Sequence, residues 1–161
     1  MEEIFLLLGS NIGDRKENLM RAIQAITVEP MKILKKSKIY QTKPWGVTNQ
    51  PDYLNLALKV ESDLSALELL KVFKRIERQM GRKRSKERWQ PRVIDIDILF
   101  WGQHVVDRAV LRIPHEEFLD RPFAIKILAE IAPDFIPPGS KKTLRELSLG
   151  GRNEGIEIYR D

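Results

Sequence analysis

Cysteine is absent from the 161 residues, and histidine is nearly so, with only His104 and His115. The first absence excludes a disulfide scaffold, an iron–sulfur cluster and a cysteine nucleophile. The two together leave no ordinary ligand set for structural zinc. Long apolar runs are missing as well. Ile4 to Leu8 is too short for a membrane span or the core of a secretory leader, and Met1-Glu2-Glu3 ahead of it is acidic. The glycine-rich phosphate loop that ends in Gly-Lys-Ser/Thr is also lacking, because Gly9-Ser10-Asn11-Ile12-Gly13 carries no lysine. These absences lead us to expect a soluble, cytoplasmic chain folded as one domain, 1–161, of a size that buries its own core.

Positive charge is present but unevenly placed. The whole chain carries a formal +5. Between Lys71 and Arg92 ten basic residues face two acids, Glu77 and Glu87, a local +8; the remainder sums to −3. The protein is therefore mildly acidic with one strongly basic segment. An isolated charge run is usually a solvated surface. This one contains Trp89 and leads directly into a strand that bears acids, which points to an anionic ligand.

The periodicities give a coarse order of elements. Ile4 to Leu8 reads as a buried strand, and Gly9-Ser10-Asn11 as a turn. Asp14 caps a helix, with Glu17 three places on and Leu19, Ile23 and Ile26 at helical spacing. Residues 32–41 form a strand, and 42–52, with Pro44, Gly46, Asn49 and Pro51, a long loop. From Tyr53 to Val60 the chain alternates, with Leu54, Leu56, Leu58 and Val60 on one face and Tyr53, Asn55, Ala57 and Lys59 on the other. Ser65 and Glu68 make a capping box that opens a helix ending at Gly81. The strand 93–100 turns at Gly102 into a hairpin with 104–106. Asp120 caps a helix running to Ala132, Thr143 and Glu146 mark a short last helix, and Ile156 to Tyr159 is an edge strand. This order fits an α+β sandwich of split βαβ type, with a mainly antiparallel sheet and helices on one face.

Asp95-Ile96-Asp97 is the sharpest local feature. Both carboxylates point to one face of an isoleucine-rich strand, about 6.5 Å apart between Cα atoms. Like charges held there repel and are costly to desolvate, unless a cation neutralises them. Magnesium favours a few carboxylates together with waters and substrate phosphates. With an arginine-rich segment upstream, the pair suits a metal-bound nucleoside triphosphate.

The segment Arg88-Trp89-Gln90-Pro91-Arg92-Val93-Ile94-Asp95-Ile96-Asp97-Ile98-Leu99 resembles the signature of the 6-hydroxymethyl-7,8-dihydropterin pyrophosphokinase family of folate biosynthesis. Further anchors follow in order: Gly9-Ser10-Asn11, Thr42-Lys43-Pro44-Trp45-Gly46, Gln50-Pro51-Asp52-Tyr53-Leu54-Asn55, Glu77, Gly81-Arg82, Pro114-His115, Arg121-Pro122-Phe123 and Glu130-Ile131-Ala132-Pro133. The resemblance implies a ferredoxin-like βαββαβ sandwich with a C-terminal extension, and transfer of pyrophosphate from ATP to the pterin hydroxymethyl group with release of AMP. It implies two magnesium ions on Asp95 and Asp97. Arg82, Arg84, Arg92, His115 and Arg121 would attend the phosphates, and Ile98 and Leu111 the adenine. The pterin would lie between Tyr53 and Phe123. Asn55 and the segment holding Thr42, Pro44, Trp45 and Gly46 would read its edge, and Trp89 would close over the site. Arg82, Arg92, Asp95 and Asp97 would form the catalytic set.

Several positions depart from the family's pattern. Gln90 replaces a small residue, and Glu116 stands where some members have an aromatic. Val110 sits where many carry arginine, and Arg112 where a small hydroxyl residue is common. Arg112 is therefore expected to take over the phosphate contact missing at Val110. The partners implied are small molecules, with no nucleic acid or membrane, and the chain is expected to be a monomer. Two other functions share this fold. An RNA-binding module would need an aromatic surface motif that this chain lacks. A two-metal nucleotidyl transferase would need a further acid beside the pair.

Overall fold

Alternating side chains decide which way each strand faces, and in this protein both faces of the sheet are put to use. A computed structural model of the chain describes residues 2–43, 49–81, 92–115, 117–151 and 155–160. The elements run β1 (Glu2–Ser10), α1 (Arg15–Thr27), β2 (Lys32–Lys36), β3 (Tyr40–Thr42), β4 (Tyr53–Ser62), α2 (Ala66–Gln79), β5 (Asp95–Trp101), β6 (Val106–Arg108), β7 (Leu111–Ile113), α3 (Pro122–Ile131), α4 (Leu144–Leu149) and β8 (Ile156–Ile158). The main sheet is antiparallel in order β5-β1-β4-β3-β8, with β2 also on β4. The α+β sandwich with a mainly antiparallel sheet expected from the sequence is the fold observed, but helices lie on both faces rather than on one, because the second face also carries apolar side chains to cover.

One face carries Ile4, Leu6 and Leu8 of β1, Leu54, Leu56, Leu58 and Val60 of β4, and Ile96 and Ile98 of β5. Helices α1 and α2 cover it with Leu19, Ala22, Ile26, Leu69, Phe73 and Ile76. Both caps read from the sequence form here. The Asp14 side chain accepts the Glu17 N–H at 3.1 Å, and Ser65 and Glu68 bond reciprocally. The second face is half covered. Helices α3 and α4, from the C-terminal extension, pack on Phe5, Leu7, Ala57, Leu99 and Phe100. The other end of this face stays open, and there the apolar residues give way to Gly9, Asn55, Asp95 and Asp97.

A register shift between β1 and β5 serves this second core. Phe5 opposes Phe100 while Leu6 opposes Ile98, so Leu99 is the extra residue. Leu99 and Phe100 both join the second cluster in consequence. The Phe100 ring meets Phe118 and Phe135 at centroid distances of 4.8 and 5.0 Å, and Phe5 at 6.1 Å edge-on.

Three local expectations are corrected. The hairpin between 93–100 and 104–106 does not form; residues 106–108 pair instead with β7 in a separate two-stranded sheet. The turn at Gly102 is nonetheless real, with φ of 54°. Asp120 lies in a single 3-10 turn, Phe118–Asp120, and does not cap α3. That helix opens with Pro122 at its first turn, where a missing N–H costs nothing. Residues 32–41 are two strands, because the chain leaves the sheet edge at Ser37, whose hydroxyl accepts the Ala57 N–H.

Phe100 is fully buried within this aromatic group. Phe100→Ala is expected to lower stability by about 3–5 kcal/mol through cavity formation. A urea unfolding curve with a lower midpoint and an unchanged slope checks this.

Candidate active site

β1 lies between β4 and β5, and its last residues set the spacing of the open face. Gly9 opposes Asn55 on one side and Asp95 on the other; Leu7 opposes Ala57 and Asp97 in the next row. Asn55 and Asp95 are thus two strand spacings apart, about 9–10 Å. Gly9 forms the floor between them. A Cβ there would come 2.6 Å from Asn55 Oδ1 and 3.2 Å from Tyr53 Cδ1, so only glycine lets these side chains lie over the strand.

On the β4 side, Asn55 is 4% exposed and Nδ2 donates to Thr42 Oγ1 at 2.5 Å. Thr42 is itself buried on β3, directly opposite Tyr53. Thr42, Tyr53 and Asn55 therefore form one group. Phe123, in the first turn of α3, is half-buried at the edge of the second apolar cluster. Pro44, Trp45 and Gly46 lie outside the described residues.

The β5 side is electrostatic. Arg121 Nη1 donates to Asp97 Oδ2 at 3.2 Å and Nη2 to Glu117 Oε2 at 3.0 Å. His115 Nε2 stands 3.8 Å from Asp97 Oδ1, an ion-pair distance. The Glu117 N–H donates to His115 Nδ1, which places the neutral ring's proton on Nε2, toward Asp97. The His115 N–H in turn donates to the Leu99 carbonyl, which ties this segment to β5. Burial pushes the Asp97 carboxyl above the usual carboxylate range, and the Asp95 charge adds to the effect. His115 and Arg121 pull it back without cancelling it. Burial and mutual repulsion thus both disfavour the charged form of Asp97, an effect that a bound cation would relieve. Among the described residues no three His, Asp or Glu side chains converge as a metal cage. A pair of carboxylates still fits magnesium, which keeps waters and takes its remaining ligands from substrate phosphates.

Next to Asp97 a cleft of about 330 Å³ is lined by Leu70, Lys74, Ile98, Leu111, Arg112 and His115, among others. Four of the residues singled out in the sequence for a nucleotide, Ile98, Leu111, Arg112 and His115, meet here. Arg112 is half-exposed and 3.5 Å from Asp107, while Val110 is largely exposed at the same rim. The Arg92 backbone is bonded on both sides to Asn11, just past the end of β1. Arg82, Arg84 and Trp89 lie outside the described residues, as do Gln90 and Glu116.

Lys74 escaped sequence reasoning as a site residue, and Glu77 and Gly9 were read there only as anchors of the resemblance, without a role in the site. Lys74 lines the cleft and pairs with Glu77 at 3.4 Å. Glu77 is buried, and its Oε2 accepts the Ile96 N–H at 2.8 Å. It therefore satisfies the free edge of β5 between the two aspartates. Gly9 was legible in principle, since its parity with Phe5 and Leu7 puts it on the open face.

The family model described as 7,8-dihydro-6-hydroxymethylpterin-pyrophosphokinase matches residues 5–133. A 2-amino-4-hydroxy-6-hydroxymethyldihydropteridine pyrophosphokinase of Aquifex aeolicus is 40% identical over 146 residues, covering 91% of this chain and 90% of that one. A protein of the same name from Haemophilus influenzae is 39% identical, covering 85% and 86%. Among solved structures, a Plasmodium falciparum HPPK-DHPS chain with SDX-DHP superposes with a TM-score of 0.77 at 16% identity. It covers 99% of this chain, which spans only 48% of that longer one. Such a distant likeness supports the fold alone, whereas the sequence match runs through the cleft, the aspartate pair and the Gly9 floor. This chain belongs to the 7,8-dihydro-6-hydroxymethylpterin-pyrophosphokinase family.

Proposed function

We infer that this chain is an ATP-dependent diphosphotransferase of folate biosynthesis. It moves the pyrophosphoryl group of ATP to 6-hydroxymethyl-7,8-dihydropterin and releases AMP. The observation that carries this inference is the near end-to-end match to relatives of that name. The site gives it independent support. A carboxylate pair flanked by Arg121 and His115 borders a cleft of nucleotide size, and a polar-aromatic group lies across one glycine.

In this mechanism the adenine sits against Ile98 and Leu111. Arg112, His115, Arg121 and Arg92 hold phosphate oxygens, joined by Arg82 and Arg84. Arginine suits this work because its planar fork makes paired bonds to phosphate. Tyr53 and Phe123 take the flat pterin between them, since offset aromatic stacking favours a planar heterocycle. Asn55 and Thr42 bond its edge, an amide supplying both a donor and an acceptor, while Pro44, Trp45, Gly46 and Trp89 complete the enclosure. Two magnesium ions held by Asp95 and Asp97 would neutralise phosphate charge and polarise the attacked phosphorus. The pterin hydroxyl attacks the β-phosphorus, its bond to the bridging oxygen of AMP breaks, and the hydroxyl proton leaves to solvent. The protein contributes mainly position and charge. The 9–10 Å between Asn55 and Asp95, about two strand spacings, spans a bicyclic ring and its hydroxymethyl arm. The chain works as one catalytic domain over 1–161, as a monomer in the cytoplasm. No helix among the described residues is long and apolar enough to cross a membrane.

Incubation with ATP, magnesium and the dihydropterin alcohol is expected to yield AMP only when the pterin is present; ADP or inorganic pyrophosphate as the product would overturn the assignment. Asp97→Ala should abolish turnover, with circular dichroism unchanged, and retained activity would remove the metal role. Arg112→Ala should weaken ATP binding about tenfold, the loss of one charge-assisted contact. Titration with a non-hydrolysable ATP analogue measures it, and an unchanged affinity would refute the idea that Arg112 replaces the arginine absent at Val110.

A further inference from the structure

The two halves of the proposed site hang from the neighbours of β1, and one side chain just past its end touches both. Asn11 is 1% exposed. Toward β4, its Nδ2 donates to Gln50 Oε1 at 3.1 Å and to the Pro51 carbonyl at 3.2 Å. Toward β5, its Oδ1 accepts the Arg92 N–H at 2.7 Å, and its own N–H donates to the Arg92 carbonyl at 3.0 Å. The amide orientation follows from its partners, since a backbone N–H only donates and a carbonyl only accepts.

The positions of those partners give the contacts their meaning. Gln50 and Pro51 lead into Tyr53 and Asn55, the proposed pterin contacts. Arg92 leads into Asp95 and Asp97. The turn that holds Asn11 is itself pinned. Asn18 Nδ2 donates to Ser10 Oγ at 3.1 Å and to the Ile12 carbonyl at 2.8 Å, on either side of it. Arg15 Nη1 donates to the Asp52 carbonyl at 2.9 Å, bracing the same entry to β4. The bridge needs a donor on one side and an acceptor on the other within one short side chain. Among residues of this length only an amide supplies both.

We propose that Asn11 is a positioning residue for the transfer step. It holds the hydroxyl-bearing half of the site at a fixed spacing from the phosphate-bearing half. Its loss therefore lowers turnover and weakens pterin binding, while ATP binding in the absence of pterin is spared. This inference rests on the functional reading above. A reacting pair tolerates little displacement, since a shift near 1 Å costs about 100-fold in rate.

Two variants test it. Asn11→Asp is nearly isosteric, keeps Oδ1 for the Arg92 N–H and loses both donors toward Gln50 and Pro51. It is expected to raise the pterin KM about tenfold. Its affinity for a non-hydrolysable ATP analogue, measured without pterin, should stay within about threefold of wild type. Asn11→Ala loses both sides. Its kcat should fall about 100-fold, and its pterin KM should rise at least as much as that of Asn11→Asp. A purely structural role would lower the melting temperature and the active fraction while leaving kcat per titrated site and the pterin KM intact, which overturns the proposal. If Asn11→Ala does not fold, the Asn11→Asp result decides alone. Wild-type protein in the same assay separates the two failures. No AMP from wild type sinks the functional reading, whereas wild-type turnover with both variants unchanged sinks only the role of Asn11.

Discussion

β1 is hydrogen-bonded on both edges, to β4 on one side and β5 on the other, and its alternation decides what each face of the sheet becomes. Ile4, Leu6 and Leu8 point into the core under α1 and α2, while Phe5 and Leu7 point into the core under α3 and α4. A strand buried on both faces reads as a continuous apolar run, and Ile4 to Leu8 is one. The next residue on the second face is Gly9, where apolar packing stops and the site begins. A slip of one residue in this pairing would send Asn55, Asp95 and Asp97 into the helix-covered core. The hydrophobic register therefore holds the arrangement of the candidate site in place.

The charges make sense on that frame. Asp95 and Asp97 are kept side by side by a strand whose other residues are buried, so they cannot swing apart to relieve their repulsion. Glu77 closes the free edge of the same strand from beneath, and Arg121 and His115 approach Asp97 from the segment that follows β7. The result is a rigid pair of carboxylates with positive groups on one side and an open cleft on the other. Rigidity of this kind suits a reaction that relies on placement and electrostatic stabilisation. The C-terminal extension contributes as well: α3 and α4 cover half of the second face, which limits the site to one end, and β8 extends the sheet beyond β3.

Much of the fold was legible because its signals are local. The capping pairs Asp14–Glu17, Ser65–Glu68 and Thr143–Glu146 all form as read. The alternation from Tyr53 to Val60 assigned both faces of β4 correctly. The errors arose where a distant partner overrode a local cue. Gly102 makes its turn, yet the following residues find β7 more favourable than the edge of β5, which Glu77 and the His115 backbone already occupy in part. Asp120 looks like a helix cap, but Pro122 starts α3 and the Arg121 side chain is drawn to Asp97 and Glu117. The strand over 32–41 breaks at Ser37, whose hydroxyl bonds the Ala57 backbone and which sequence alone does not mark.

Residue types and spacing by themselves determined the α+β class, the position of the basic segment, the shared face of Asp95 and Asp97, and, through ordered anchors, the family. Those properties depend on near neighbours along the chain and on a period of two or 3.6. Only the tertiary structure decided which residues stand opposite one another. It put Gly9 between Asn55 and Asp95, set Glu77 under Ile96, turned the His115 Nε2 proton toward Asp97, and gave Asn11 a hand on both halves of the site. Strand pairing and burial are long-range, and no local pattern encodes which strand lies beside which.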